Sequence, residues 1–331
     1  MKTNSKFIEI IKNQFPLKKI LVLGDIMVDK YTIGKVDRIS PEAPIPIIEF
    51  EESKLTAGGA SNVTNNLVSL GCKVMLSGTA AEDEYGDWVR KYMESKGIDV
   101  GGIISEEGRP TTLKERFATK SQQLFRVDRE RNDVIKKETQ DKIFSYLESV
   151  IKDLDAVLLS DYKKGVLSSY DFVQKIIALC NKNNVSVTID SKSSTISAFK
   201  NATFVKPNNL ELEQAVNIKI IDDETLNIAG NMYLKSSGAK YLIVTRGDKG
   251  ISVFSNNEER KDFSSKALQV YDVTGAGDTV ISTITLGIVS GLSLYDATVL
   301  GNLAASVVIS KKGTATVNQE ELINRIKEEK V

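Results

Sequence analysis

Short apolar runs rich in β-branched residues alternate with longer stretches of helical periodicity along most of the chain. The runs KKILVLG (18–24), CKVMLSG (72–78), DAVLLSD (155–161), VSVTID (185–190), ATFVKP (202–207), KYLIVT (240–245) and GISVF (250–254) predict strands. Residues 61–70, 82–96, 138–152, 168–183 and 223–237 predict helices between them. Strands that are apolar throughout and separated by helices belong to a parallel sheet covered on both faces. Two stretches break the pattern. Residues 30–56 and 99–130 alternate in polarity, are rich in charge and carry Pro41, Pro44, Pro46 and Pro110, which predicts a small β-sheet projecting from the body as a lid. With no repeat or low-complexity linker, the expectation is a single α/β domain over 1–331, with lid segments at about 30–56 and 99–130.

Several of these strands exit into polar residues: Asp25, Asp161, Asp190, Asn208 and Arg246-Gly247. Ligands of open α/β sheets bind at the carboxyl ends of the strands, so five such exits together point to a site there.

The stretch YDVTGAGDTVISTITLGIVSG (271–291) carries the sharpest chemistry. Gly275, Ala276 and Gly277 present backbone rather than side chains where an apolar helix over 279–290 begins, and Gly291 is placed to end it. Unpaired first-turn amides and the helix dipole make that point a cradle for an anion, most simply phosphate. Two phosphate motifs do not apply. The chain lacks GxxxxGK[ST], and GxGxxG fails because Val280 stands where the third glycine belongs, which argues against a dinucleotide-dependent oxidoreductase. Asp278 lies inside the cradle, where its carboxylate would repel phosphate. It is either a first-turn acid complementing the dipole or a base that takes a proton from an attacking hydroxyl.

Other segments add polar groups. GGASNVTNNLVSLG (58–71) sets Gly58 and Gly59 before a helix with Asn62 in its first turn, and GDIMVDKY (24–31) spaces Asp25 and Asp29 after the first strand. KPNNLELE (206–213) places Asn208 and Glu211 three apart, either a helix cap or a pair able to hold Mg²⁺ through water. LSLYDATVLGNLAASVVISKKGTAT (292–316) opens with Ser293…Asp296, resembling a capping box, and continues as a small-residue helix suited to packing a flat base.

Composition narrows the chemistry further. The 331 residues include 44 Lys plus Arg and 44 Asp plus Glu, so no net field favours nucleic acid or an anionic membrane. There is no histidine, which removes Ser-His-Asp and Cys-His nucleophile systems and leaves proton transfer to carboxylate, lysine or tyrosine. Cys72 and Cys180 form no CxxC pair and read as buried small hydrophobes. The first 20 residues lack a signal-peptide core and no run reaches transmembrane length, so a cytoplasmic location is expected.

These pieces, in this order, resemble the ribokinase-like (PfkB) carbohydrate kinases: DVTGAGD (272–278) is similar to their C-terminal signature, GGASN to their N-terminal one, and PNNLE to their Asn-x-x-Glu motif. GDIMVDKY, RISPEAPIPI (38–47), QQLFRVD (122–128), LSDYKKG (159–165) and VYDVTGAGDTVI are similar to strings of the heptose 7-phosphate kinase subfamily. The resemblance implies a three-layer sandwich with a mostly parallel sheet and a β lid. It also implies ATP-dependent phosphorylation of the anomeric hydroxyl of D-glycero-β-D-manno-heptose 7-phosphate, toward activated heptose for lipopolysaccharide; another sugar, or a non-catalytic sensor, are the alternatives.

On that resemblance Asp278 is the base and the backbone of Gly275, Ala276 and Gly277 the anion hole. Asn208 and Glu211 organise Mg²⁺ and phosphates, Arg246, Gly247 and Gly250 meet nucleotide, and Asn302 lies near adenine. Asp29, Gly58, Gly59 and Asn62 hold sugar hydroxyls, with Asp161 on the same side. Backbone oxygens around Asp272 and Thr274 correspond to a monovalent-cation site, often potassium. The basic residues Arg38, Arg116, Arg126 and Lys164 are expected to meet the sugar's phosphate. Such lids often pair into homodimers. Many heptose kinases of this type are fused to a C-terminal nucleotidyltransferase, and none is read here.

Overall fold

The computed structural model describes residues 2–192, 196–256, 258–266, 270–311 and 313–329. Its strands are β1 (Lys19–Gly24), β2 (Ile26–Ile39), β3 (Pro46–Gly59), β4 (Lys73–Thr79), β5 (Asp99–Ile104), β6 (Thr112–Ala118), β7 (Gln123–Arg129), β8 (Ala156–Asp161), β9 (Ser186–Ser191), β10 (Phe204–Val205), β11 (Tyr241–Thr245), β12 (Ile251–Ser255) and β13 (Lys261–Phe263). Its helices are α1 (Lys2–Asn13), α2 (Ala60–Ser69), α3 (Glu84–Glu94), α4 (Lys137–Val150), α5 (Tyr170–Lys182), α6 (Asn209–Val216), α7 (Asp223–Ser237), α8 (Ala276–Val289), α9 (Leu294–Val308) and α10 (Gln319–Glu328).

Nine strands form the central sheet in the order β13-β12-β11-β10-β9-β8-β1-β4-β5. Pairing is parallel from β5 to β11 and antiparallel only where β12 and β13 close one edge as a meander. Strand β1 shows why both faces must be covered. Ile20 and Val22 enter one core with α1, α2, α3, α8, α9 and α10, whereas Leu21 and Leu23 enter the other with α4, α5, α6 and α7. Alternate side chains of a strand point to opposite faces, and each finds an apolar layer there.

The lid is a four-stranded sheet in the order β3-β2-β6-β7. It grows directly from the body: one residue, Asp25, separates β1 from β2, and β3 runs straight into α2. The two lid segments are 26–59 and 112–129, which corrects the expectation for 99–130. Residues 99–104 pair with β4 as the edge of the central sheet. As the edge strand, β5 begins exposed at Asp99 and is buried chiefly at Gly102 and Ile103, so its sequence lacks the continuous apolar run of the inner strands. The predicted strand over 202–207 contracts to Phe204–Val205.

Both cysteines are buried and free. Among the described residues no helix is long and apolar enough to cross a membrane.

Candidate active site

Where the carboxyl ends of the parallel strands meet the lid, α8 begins. Its N-cap is Gly275, left-handed at φ 82°, a conformation that a side chain would strain. Helix α8 is seated by polar contacts with α2: Thr279 Oγ1 donates to Asn66 Oδ1 (2.7 Å) and Ser282 Oγ to the Val63 carbonyl (3.3 Å). Ala276 N–H donates to the Val273 carbonyl at 3.2 Å, so the cradle consists chiefly of the amides that follow. A Cβ on Gly277 would lie 3.5 Å from the Lys206 ammonium, which puts a fixed cation beside the helix start.

Asp278 is buried, and both its oxygens are held. Asn62 Nδ2 donates to Oδ2 at 2.6 Å and the Tyr162 hydroxyl to Oδ1 at 2.8 Å. Burial, reinforced by the nearby Asp190 carboxylate, raises the Asp278 carboxyl to about 6, against the opposing pull of Asn62, Tyr162 and Lys206. Asp190 ends β9 and its Oδ1 lies 3.1 Å from Lys206 Nζ. Burial opposes the charge on Lys206, yet Asp190 and Glu211 outweigh it and hold the ammonium above its ordinary value. Glu211 is raised by burial and by Asp190. Three carboxylates thus converge on one lysine.

Two cavities flank this point. One, of about 460 Å³, is lined by Met27, Asp29, Gly58, Gly59, Asn62, Lys114, Arg116, Arg126, Tyr162, Lys164, Lys192, Thr274, Gly275, Asp278 and Thr314. Its cations are mostly paired with lid carboxylates. Arg116 binds Asp29, Lys164 meets Glu130 at 2.7 Å, Lys114 reaches Asp128 (3.1 Å) and Glu130 (3.3 Å), and Arg126 grips Asp128 at 2.7 and 3.0 Å. The other, of about 750 Å³, is a mainly apolar slot between Val280, Ile251, Ala305 and Ile309, with Asn208, Gly247, Gly250 and Asn302 on its walls. Gly277 lines this second cavity and Asp278 the first, so the start of α8 is the partition between them.

Most of the expected residues line one of these two cavities, and Arg38, Asp161, Arg246, Glu211 and Asp272 do not. Arg38 is at the far end of β2, exposed and 3.6 Å from Glu49, outside the cavity. Asp161 accepts from Ser191 Oγ (2.6 Å) and Lys163 N–H (2.8 Å), bracing its own loop, and lines an adjoining cavity of about 510 Å³ with Tyr162, Lys164 and Lys192. Arg246 folds under the β11–β12 hairpin, where it meets Ser252 (3.0 Å), Asp223 (3.3 Å) and Asp262 (3.5 Å) and does not line the slot. Asn208 and Glu211 form a reciprocal capping box at the start of α6, each accepting the other's amide at 2.8 Å. Asp272 accepts from Thr274 N–H (2.9 Å) and Gly313 N–H (3.2 Å), tying the loop before α8 to the turn after α9. Burial works against its charge, but the Thr274 hydroxyl and those amides outweigh it and hold the carboxyl below the ordinary value.

Lys114, Tyr162, Lys192 and Lys206 are the additions that the structure makes. KPNN and LSDYKKG hold Lys206 and Tyr162, but no spacing in the chain marks either one as facing Asp278.

A sequence profile described as pfkB family carbohydrate kinase matches residues 17–321. The chain is 38% identical over 304 residues to the bifunctional protein HldE of Syntrophotalea carbinolica, covering 92% of this chain and 62% of that protein. It is 41% identical over 304 residues to HldE of Nitratiruptor sp. (92% and 64%) and 39% over 306 residues to HldE of Helicobacter pylori (92% and 66%). The chain therefore spans less than two thirds of the length of these relatives. Among solved structures, Arabidopsis thaliana ribokinase complexed with ribose and ATP superposes with a TM-score of 0.76 at 19% identity, covering 94% of this chain and 99% of that one. Phosphofructokinase-2 from Escherichia coli in complex with potassium gives 0.75 at 19% identity, covering 94% and 98%. At that identity the likeness shows the fold, which is ribokinase-like.

Proposed function

The chain belongs to the pfkB family of carbohydrate kinases, and from that premise we propose that it transfers the γ-phosphoryl group of ATP to the anomeric hydroxyl of D-glycero-β-D-manno-heptose 7-phosphate. The observation that carries this reading is the sugar-sized cavity that Asp278 lines together with five cations, Lys114, Arg116, Arg126, Lys164 and Lys192, most of them held in place by neighbouring carboxylates. A neutral sugar has no use for so many. A sugar that already bears a phosphate does, and the guanidinium groups can bind it in bidentate fashion.

In this reading the C1 oxygen attacks the γ-phosphorus, the bond to the ADP oxygen breaks, and the hydroxyl proton passes to Asp278. A carboxyl raised to about 6 is ionised at neutral pH yet more basic than an ordinary aspartate, as a general base requires. The amides at the start of α8 and the Lys206 ammonium stabilise charge on the transferring group. The apolar slot takes adenine, with Asn302 on its wall, and Gly247 and Gly250 let the backbone approach the nucleotide. Asp29, Gly58, Gly59 and Asn62 take the sugar hydroxyls. The fold neighbour solved with ATP supports the nucleotide assignment.

Mg²⁺ would neutralise phosphate charge here. Asp190, Glu211 and Asn208 suit it through water, since three carboxylates share one lysine and no cluster of three direct carboxylate ligands occurs among the described residues. The loop held by Asp272 and Thr274 is the proposed place for a monovalent cation, and the potassium-bound neighbour supports it.

ADP release measured with heptose 7-phosphate, fructose 6-phosphate, fructose 1-phosphate and ribose tests the proposal. Turnover on the heptose alone supports it. Preference for another sugar keeps the chemistry and discards the substrate, and ATP binding without turnover on any sugar favours a sensor.

A further inference from the structure

Tyr162 has no part in the chemistry assigned above, and we propose that it is the positioning residue that holds the Asp278 carboxylate in line for proton abstraction. The inference rests on Asp278 being the base, and it goes further by saying what aims that base.

Three observations converge on this tyrosine. Its hydroxyl reaches Asp278 Oδ1 at 2.8 Å, opposite Asn62, which holds Oδ2 at 2.6 Å. A carboxylate gripped at both oxygens cannot rotate about its terminal torsion, so one donor without the other leaves it free to swing. The second observation is how firmly the tyrosine itself is held. Buried Asp25, in the single-residue step from β1 to β2, accepts the amides of Tyr162 (2.7 Å), Lys164 (3.0 Å) and Val166 (3.2 Å), wrapping the segment around one carboxylate. Gly165, at φ 101°, completes the turn; a Cβ there would come 2.1 Å from the Asp133 carbonyl. The third is the ring, which lies under the Lys192 ammonium, 4.0 Å from its centroid. Hydroxyl, main chain and ring are therefore each fixed by a different element.

The direction of the hydrogen bond is also fixed. Burial, with Asp278, Asp190 and Glu211 nearby, drives the phenol well above its ordinary value, so it stays protonated and donates. It is not a competing base. The charged groups around Asp278 are Asp190 at the end of β9, Lys206 just after β10, and Asp29, Lys114, Arg116, Arg126, Lys164 and Lys192 in the shared cavity, and none of them occupies the position of the Tyr162 hydroxyl.

Tyr162→Phe removes the hydroxyl and keeps the ring. Steady-state kinetics against pH, with whichever sugar phosphate turns over fastest, should show kcat down by about tenfold with the sugar KM little changed. The acid limb should move up by about one unit, the size expected when a charged group loses one hydrogen bond. The limb moves upward because a carboxylate that loses a donor is harder to keep ionised. Selective ¹³C labelling of aspartate carboxyls, with Asp278→Asn to assign the signal, measures the same shift without turnover. An unchanged limb and an unchanged Asp278 titration in Tyr162→Phe overturn the proposal, as does a loss confined to KM. Full activity in Asp278→Asn would overturn the base assignment instead, so the two failures are separable.

Discussion

Asp278, the proposed base, carries a cost in stability. Its carboxyl is raised from 3.8 to about 6, so between those values the folded protein holds a proton that the unfolded chain has released. Stability from this group is therefore greatest at low pH and is lost as pH rises through about 6. Asp278→Asn removes the charge and keeps the shape. It should abolish turnover, by at least about a hundredfold, and raise folding stability at neutral pH by roughly 2–3 kcal/mol. Urea unfolding at pH 7 and pH 4 checks this: the gain should shrink at the lower pH, and a destabilised variant would contradict it. This residue was legible in the sequence because the glycines and the acid that define it are contiguous. Tyr162 was not, since its partner lies 116 positions away and only the fold brings the two together. Arg246 shows how a side chain's direction escapes the sequence. A basic residue at a strand end reads as a ligand contact, but a long side chain can fold back, and this one finds two carboxylates and a hydroxyl beneath the hairpin.

Among the elements, the segment entering the lid hairpin β6–β7 is tied to the loop that carries Tyr162 by one buried guanidinium, that of Arg109. Arg109 Nε meets Glu106 Oε1 at 2.9 Å, both side chains being almost fully enclosed. Its remaining donors reach the carbonyls of Arg131 (3.3 Å), Asp133 (2.7 Å) and Lys164 (3.2 Å). The chain entering the lid, the chain leaving it and the segment carrying Tyr162 thus share a single guanidinium. Burial works against the Glu106 charge, but Arg109, Thr139 and the Lys136 amide overcome it and hold the carboxyl below its ordinary value. Arg109→Met would strand that carboxylate, and the expected cost is about 3–5 kcal/mol in chemical denaturation. A loss under about 1 kcal/mol would mean that the pair is solvated, as surface pairs are. Helix and strand alternation was readable along the body because both faces of the parallel sheet are buried. The reading failed at β5, an edge strand paired on one side only and exposed at its start.

Across the whole molecule, the lid presents two unlike faces. Arg116 and Arg126 look into the cavity, so Phe117 and Phe125, next along each strand and stacked with centroids 4.6 Å apart, lie on the outer face. Phe125 and Val127 are about half exposed there, at 48% and 50%. A second copy of the chain, packed lid to lid, is the proposed cover. Light scattering should give a dimer that Phe125→Asp converts to monomer, and a wild-type monomer at micromolar concentration would remove the idea. The cations of the cavity were only partly foreseen because Lys114, on β6, and Lys192, just after β9, come from different elements and share no motif. The central claim is that Asp278 and the five cations together serve a sugar phosphate acceptor. The direct measurement is ³¹P NMR of the protein with ATP, Mg²⁺ and D-glycero-β-D-manno-heptose 7-phosphate. The account predicts a new anomeric phosphate resonance, coupled to H1, growing in step with ADP while the 7-phosphate signal persists; ADP formation with inorganic phosphate alone, or no change, would contradict it.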